Sequence, residues 1–353
     1  MVTFRAPSFS AATAVVLLAA TACAARSGPR TDRPETPLGS AWASTQNRDH
    51  PLAGKIWDVR KKAFVGEQEL RAAVTSARYV LLGEVHDNPD HHLLQARVVR
   101  MVTGAGKRPA IAFEMLDESQ QPAIDAIPAG DSGNPDSVRD AVRWDESGWP
   151  AFALYRPIFQ AALDAHLPIV AANLPRARIR EASRAGITAL PASVRERIER
   201  QGPLAPAVRA ELRTEMAESH CGELPDSMLD PLILGQRARD AQLADAITKA
   251  ATKDGAILIT GAGHARLDRG VASYLSAQEL AKGPVVAIAF EEVSAQKQQP
   301  QDYYPAQGDP GRFDFVVFTP GAEREDPCEK LREQMQRMKK HPPVGEGDAG
   351  TQL

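Results

Sequence analysis

The chain has 353 residues, a net charge of −3, and no basic stripe with interleaved aromatic residues, so a nucleic-acid-binding protein is not expected. An apolar content of 43% is ample for a large core, and an aromatic content of only 5% suits an aliphatic α/β core better than a β-sandwich. The length allows one large α/β domain or two small ones.

The N-terminus has the pattern of a secretory signal. An apolar run from about Ala11 to Ala20 is followed by Thr21, Ala22 and Cys23, and small residues before a cysteine resemble a bacterial lipobox, although Leu is usual where Ala20 stands. The alternative is an ordinary signal peptide cut near Ala-x-Ala. The run is too short to span a membrane. We therefore expect a lipidated Cys23 and a membrane-anchored lipoprotein of the cell envelope, on the outer membrane because Ala24 follows the cysteine.

The expected organisation follows from composition. Residues 1–23 are the signal peptide, and residues 24–51, rich in Ser, Thr, Arg, Pro and Gly, form a flexible linker. Residues 52–320 form the α/β domain, and residues 321–353 form a C-terminal helix near Cys328 to Met338 and a disordered tail. If Cys23 carries lipid, Cys221 and Cys328 remain in an oxidising compartment and are expected to form a disulfide; two free thiols are the alternative.

Strands and helices alternate along the domain. This order predicts a mostly parallel central sheet with helices on both faces and a helical insertion at about 177–253. The predicted strands are Ile56–Val59 at an edge, Tyr79–Leu82, Pro109–Met115, Pro168–Asn173, Ala256–Thr260, Val285–Phe290, and Phe313–Phe318 at an edge. The other predicted helices are Glu67–Ser76, Pro89–Thr103, Glu118–Ile127, Phe152–His166 and Ser273–Ala281.

Polar residues begin where several of these strands stop. Glu84 and His86 follow the Tyr79 strand, and Glu114, Asn173 and His264 end or follow three others. Ligands of parallel sheets bind outside the carboxyl ends of the strands. We therefore expect these side chains to converge at one edge of the sheet.

The segment after Glu84 also predicts a helix start. Asn88 can cap free N–H groups, and Pro89 suits the first helical position, so His91 and His92 fall in the first turn. Because a helix N-terminus disfavours imidazolium, we expect these histidines to be neutral and able to act as ligands or bases.

Carboxylates and histidines in this arrangement suit three kinds of chemistry. They could hold a divalent metal such as zinc, perform general acid–base hydrolysis, or surround an iron–porphyrin. A nucleotide loop and a serine triad have little support, because neither GxGxxG nor G-x-S-x-G is complete.

An ordered series of motifs resembles the ChaN-like haem-binding lipoprotein family. The resemblance runs from about Ile56 to Thr319. It rests on Gly83-Glu84-x-His86-Asp87-Asn88 with His91-His92 and Gln95, Phe113-Glu114-Met115, Trp144 and Trp149 before Tyr155-x-Pro157, Ala172-Asn173-Leu174-Pro175-Arg176, Gln236-Arg237-x-Arg239-Asp240, and Gly263-His264-x-Arg266.

The resemblance implies an α/β protein of haem or iron uptake, tethered to a membrane, with haem between the subunits of a homodimer. It implies a Tyr iron ligand helped by a His, for which Tyr155 is the candidate; packing under the Trp144–Trp149 loop is its alternative role. The implied haem-binding residues are His86, His91, His92, Tyr155, His264 and Arg266.

The wider superfamily includes erythromycin esterases and Tiki-type metallopeptidases. By that likeness Glu84, His86, Glu114 and His264 would be a hydrolytic or metal-binding set, so a metal-dependent esterase or peptidase is the alternative function. Whether the protein is an enzyme stays open at this point.

Overall fold

The computed structural model describes residues 1–3, 41–128, 130–131, 133–303, 311–326, 328–329 and 332. The chain divides into two units, Met1–Pro37 and Leu38–Leu353, and all helices and strands described below belong to the second. Cys23, the predicted signal peptide beyond residue 3 and most of the predicted C-terminal helix lie outside the described residues. Within the described part, no helix is long and apolar enough to cross a membrane.

One mixed sheet carries the eight strands of the described part. Its strands are β1 (Ile56–Asp58), β2 (Ala63–Val65), β3 (Tyr79–Glu84), β4 (Ala110–Asp117), β5 (Ile169–Asn173), β6 (Ala256–Gly261), β7 (Val285–Glu292) and β8 (Phe315–Thr319). Their order is β2-β1-β8-β7-β3-β6-β4-β5, and the six strands from β8 to β5 are parallel. The predicted α/β class with a mostly parallel sheet is confirmed.

The predicted positions of two strands in the sheet are wrong. The segment Phe313–Phe318 was expected at an edge, but β8 lies between β1 and β7, and all five of its residues are buried, as expected for a strand covered on both faces. The expected edge strand β1 pairs antiparallel with β2, which lies outside it. The edges are therefore β2 and β5.

Helices cover both faces of the sheet. They are α1 (Glu67–Ser76), α2 (Pro89–Gly104), α3 (Gln121–Asp125), α4 (Pro135–Ala141), α5 (Phe152–Asp164), α6 (Arg176–Ala185), α7 (Ala192–Gln201), α8 (Pro206–Ser219), α9 (Asp226–Ala250), α10 (Ala262–Ala265), α11 (Ala277–Leu280) and α12 (Pro300–Tyr303). Short 3₁₀ helices cover Glu118–Gln120, Trp144–Glu146, Ile187–Ala189 and Val271–Tyr274. The predicted helical insertion comprises α6 to α9.

Two differences from the predicted helices have local causes. The segment predicted as one helix over Ser273–Ala281 is broken, because the Ser276 side chain caps a new helix by accepting from the Glu279 N–H. The segment predicted as a helix over Glu118–Ile127 begins as a 3₁₀ turn and continues as α3.

Alternating side chains of β3 divide the core into two layers. Val80 and Leu82 pack with α1, α2 and α5, whereas Tyr79 and Leu81 pack with α6, α7 and α9. This alternation follows from the two-residue period of a strand. A strand covered on both faces is therefore apolar along its whole length, because its side chains pack into both layers.

The edge strand β5 is covered by a side chain. The Gln121 Nε2 donates to the Ile169 carbonyl at 3.1 Å, and the Gln121 Oε1 accepts from the Ala171 N–H at 2.7 Å. Two backbone groups of the open edge are thereby satisfied.

A disulfide joins Cys221, after α8, to Cys328, beyond the last strand. The two cysteines are 107 residues apart in the chain, with their Cα atoms 5.5 Å apart. The bond therefore holds the segment after β8 against the helical insertion.

Candidate functional site

The carboxylate of Glu84, the last residue of β3, is the centre of the first half of the site. Its Oε1 accepts from the Tyr155 hydroxyl at 2.8 Å and lies 2.9 Å from the His86 Nδ1. Its Oε2 lies 3.0 Å from the His92 Nδ1 but lacks a well-aligned hydrogen bond. Burial raises the pKa of Glu84, but His92 and His86 outweigh it and lower the pKa to about 2, so the carboxylate is ionised.

The carboxylate of Glu114 on β4 forms the second half with residues that follow β6. It accepts from the Thr260 hydroxyl at 2.6 Å and the Gly261 N–H at 2.8 Å, and it lies 3.3 Å from the His264 Nε2. The His264 Nδ1 is 2.7 Å from Asp240 of α9.

The imidazole of His264 is held between two acids. Burial lowers its pKa, but Glu114 and Asp240 outweigh burial and raise the pKa to about 10. The same contacts lower the pKa of Glu114 despite its burial, whereas burial raises the pKa of Asp240. The two acids therefore favour the imidazolium form of His264 at neutral pH.

The two halves meet at His86. A Cβ added to Gly261 would lie 3.0 Å from the His86 Nε2 and 3.7 Å from the Glu114 Oε2, so the His86 ring packs on bare backbone beside Glu114. Burial disfavours the imidazolium, but the hydrogen bond to Glu84 and the nearby Glu114 raise the pKa of His86. Glu84, His86, Glu114 and His264 thus form one connected cluster.

His86 is the accessible imidazole of this cluster. Its side chain is 34% exposed, against 0% for His92 and 8% for His264. Its Nδ1 is held by Glu84, and its Nε2 has no hydrogen-bond partner among the described residues. The Trp149 ring lies beside it, with ring centroids 5.0 Å apart. The arrangement presents one oriented nitrogen that can bind a metal or accept a proton.

The structure does not support a ligand role for His91 and His92. The His91 Nδ1 accepts from the Val85 N–H, and its Nε2 lies 2.9 Å from the Thr319 hydroxyl. The His92 Nε2 lies 3.0 Å from the His86 carbonyl, and its Nδ1 faces Glu84. Both rings are fully buried, so these histidines fix the loop after β3 instead of facing a ligand.

Tyr155 and Arg266 are also enclosed. The Tyr155 side chain is buried, it packs against Trp144, and its hydroxyl donates to Glu84. Burial and the Glu84 charge raise the pKa of Tyr155 strongly, which disfavours a phenolate. The Arg266 guanidinium is 5% exposed and pairs with Asp268 and Glu211, so it is not free to meet an anion.

A cleft of about 550 Å³ opens beside the cluster. Its wall includes Glu114, Trp149, Asn173, Arg176, Arg239 and His264. A second cavity of about 660 Å³ lies away from the cluster, along β5, where Asp245 pairs with Lys249. The first cleft is therefore the candidate binding site, because it adjoins the reactive groups.

No group of three or more His, Cys, Asp or Glu side chains placed to hold a metal ion occurs within the described ranges. The zinc alternative therefore has no support from the geometry of the Glu and His cluster.

A family model described as "Haem-binding uptake, Tiki superfamily, ChaN" matches residues 70–275. The chain belongs to this family. No curated protein matches the chain. The ChaN match contains Glu84, His86, Glu114, Tyr155 and His264.

Among solved structures, ChaN of Campylobacter jejuni, described with cofacially bound haem, matches with a TM-score of 0.57 at 18% identity, covering 74% of this chain and 95% of its own. This likeness shows that the chain has the ChaN fold. The type III effector HopBA1 matches with a TM-score of 0.39 at 14% identity, covering 71% of this chain and 91% of its own. A variant of the erythromycin esterase EreC matches with a TM-score of 0.36 at 17% identity, covering 78% and 83%.

Sequence reasoning did not assign roles to three residues of this ChaN-family site. Asp240 and Arg239 lie in a motif that was noted, and Arg176 ends another, but all three sit on helices whose rotation toward the sheet is set by packing. The available signal in the sequence was the motif Gln236-Arg237-x-Arg239-Asp240, which places two charged residues next to each other within a predicted helix.

Proposed function

We propose that this ChaN-family protein binds haem at the cell envelope, as a step in haem or iron uptake. The observation that carries the proposal is the His86 imidazole, which is partly exposed, lies against Trp149 of the cleft wall, and is held at its other nitrogen by a buried carboxylate. The family match supports the ligand, and the cleft volume is within the range of small-molecule sites.

His86 suits an iron ligand better than Tyr155. A metal-binding histidine usually donates its second N–H to a carboxylate or carbonyl, which fixes the ring and makes the free nitrogen more basic. His86 and Glu84 have this relation. A Tyr155 ligand would have to leave Glu84 and lose its proton against a raised pKa. Haem, when bound, would supply an iron that can take a histidine nitrogen as a ligand.

The direct test is a haem titration of the purified protein followed by absorbance near 400 nm. We expect saturable binding by the wild type and at least ten-fold weaker binding by His86→Ala. His166→Asn is the matched control: His166 precedes β5, at the opposite end of the strands, and Asn tolerates its φ of 51°. Equal affinities of the wild type and His86→Ala would refute the role of His86.

The affinity should also depend on pH. Only neutral imidazole binds iron, and the pKa of His86 is raised above its usual value. Haem affinity should therefore increase as the pH rises from about 6.5, and His86→Ala should lose this dependence. An affinity that is flat from pH 6 to 9 would contradict the assignment.

We also propose a lipid anchor at Cys23 and a haem-linked homodimer. The short apolar run before Cys23 supports the anchor. Cys23→Ala should move the protein from the membrane fraction to the soluble fraction. Retention of this variant in the membrane fraction would refute a lipid anchor at Cys23. The mass of the protein in solution with and without haem tests the dimer; a monomer in both states rules it out.

Hydrolysis is the second candidate, and the Glu84–His86 pair favours it. A histidine oriented by a carboxylate with one free nitrogen is the arrangement of a general base. An ester or peptide substrate would then be cleaved by the wild type, and His86→Ala would abolish turnover. If the wild type binds haem but cleaves no ester or peptide substrate, haem binding is supported over hydrolysis.

A further inference from the structure

Two arginines of the cleft wall, Arg176 at the start of α6 and Arg239 within α9, have no hydrogen-bond or ion-pair partner among the residues that the structure describes. Arg176 is exposed and Arg239 is half-buried. Both line the same cleft as His264. Two unpaired guanidinium groups in one concave surface mark it as a place for anionic oxygens.

The carboxylates of the same wall do not neutralise these arginines. Glu114 is engaged by Thr260, Gly261 and His264. Asp117 accepts from the Ser119 N–H, which caps the turn after β4.

The third acid of the wall, Glu146, lies 3.3 Å from Arg143, which also lines the cleft. Each acid of the wall therefore has its own partner within the described part. None of these acids pairs with Arg176 or Arg239, so both guanidinium groups are available to a ligand.

One short segment connects Arg176 to His86. The Arg176 guanidinium lies over Gly148, where an added Cβ would be 3.4 Å from its Nη2. Trp149, the next residue, contacts the His86 ring. The segment is braced by the Trp144 indole, whose Nε1 donates to the Pro150 carbonyl at 2.9 Å. A ligand that contacts His86 thus borders the wall on which Arg176 lies.

We infer that Arg176 and Arg239 form a subsite for the carboxylates of the ligand. The inference rests on the proposed function, under which these carboxylates are the two propionates of haem. Planar guanidinium groups bind carboxylates with two parallel hydrogen bonds, and such bonds to charged groups are stronger than neutral ones. The subsite would orient the ligand while His86 binds the iron.

The test compares haem with its dimethyl ester, in which both carboxylates are blocked. Arg176→Gln and Arg239→Gln should each weaken haem binding about ten-fold or more and leave the binding of the diester unchanged. Arg180→Gln is the control, since it removes the same charge one turn along α6 outside the cleft wall, and it should bind both ligands as the wild type does.

Three results would overturn the inference. The first is that the wild type binds haem and the diester with equal affinity. The second is that Arg176→Gln and Arg239→Gln weaken the binding of haem and of the diester equally. The third is that Arg180→Gln weakens haem binding as much as these two variants do. If the wild type binds neither ligand, the proposed function fails, and the subsite is then judged with citrate alone. Thermal stabilisation by citrate that Arg176→Gln/Arg239→Gln lacks would retain a carboxylate subsite for another ligand; stabilisation of neither or of both proteins would eliminate it.

Discussion

Gly83 in β3 has no room for a side chain. A Cβ there would lie 2.8 Å from the Ala262 Cα, 2.9 Å from the Ala265 Cβ and 3.3 Å from the Ile288 carbonyl oxygen. The first of these is backbone of α10, the helix that carries His264. Gly83→Ala must therefore displace α10 from the sheet, because backbone atoms cannot rotate away from the clash.

The magnitude follows from two opposing effects. Overpacking a tight core lowers the free energy of unfolding by about 1–3 kcal/mol. In the opposite direction, Gly→Ala raises it by about 0.4–1 kcal/mol, because the unfolded chain has less conformational entropy. We expect Gly83→Ala to lower the free energy of unfolding by about 1–2 kcal/mol, measured by urea unfolding. Haem affinity should also fall, because α10 positions His264.

Gly104→Ala is the matched control. Gly104 ends α2, and a Cβ there meets nothing within 4 Å, so the free energy of unfolding should stay equal or rise by up to about 1 kcal/mol. A Gly83→Ala protein as stable as Gly104→Ala would refute the close approach of β3 and α10.

Three further predictions concern His91, the disulfide and Tyr155. Burial lowers the pKa of His91 to about 3, below the unfolded value of 6.5, so its contribution to stability is complete above pH 6.5 and is lost as the pH falls toward 3. Between pH 7.5 and 5 the wild type should lose about 2 kcal/mol relative to His91→Gln in urea unfolding; parallel pH profiles would contradict this. The Cys221–Cys328 bond closes a loop of about a hundred residues, and its reduction should lower the free energy of unfolding by up to about 4–5 kcal/mol in the chain-entropy model. The stability of the double Ser variant should not change with reductant. Two reactive thiols in the native protein would exclude the bond. Tyr155→Phe removes a hydrogen-bond donor from buried Glu84 and should lower the free energy of unfolding by about 1.5–3 kcal/mol while leaving the haem spectrum unchanged. An altered spectrum would indicate that Tyr155 is the iron ligand.

The sequence predicted the frame of the cluster well. Apolar runs that stop at Glu84 and before His264 indicate strand ends, and the alternation of strands and helices indicates that those ends share one edge. The Asn88 cap was also predictable, and its side chain accepts from the Asp90 and His91 N–H groups. These features depend on residues close together in the chain.

Features that depend on packing were not predictable. His91 was expected to be neutral because it lies at a helix N-terminus, but the main cause of its lowered pKa is burial under β8. β8 is internal because β1 pairs with its outer side, and β1 is internal because it pairs with β2, a three-residue strand whose apolar pattern is too short to detect. The pairing of Asp240 with His264 depends on the rotation of α9.

The side chain of Gln121 has a consequence for self-association. An unpaired strand edge is a template on which another chain can add a strand, and proteins protect such edges. The Gln121 amide offers one donor and one acceptor to Ile169 and Ala171, as a neighbouring peptide would. Without it, the free edge of β5 could recruit a strand from a second molecule and begin the growth of an aggregate.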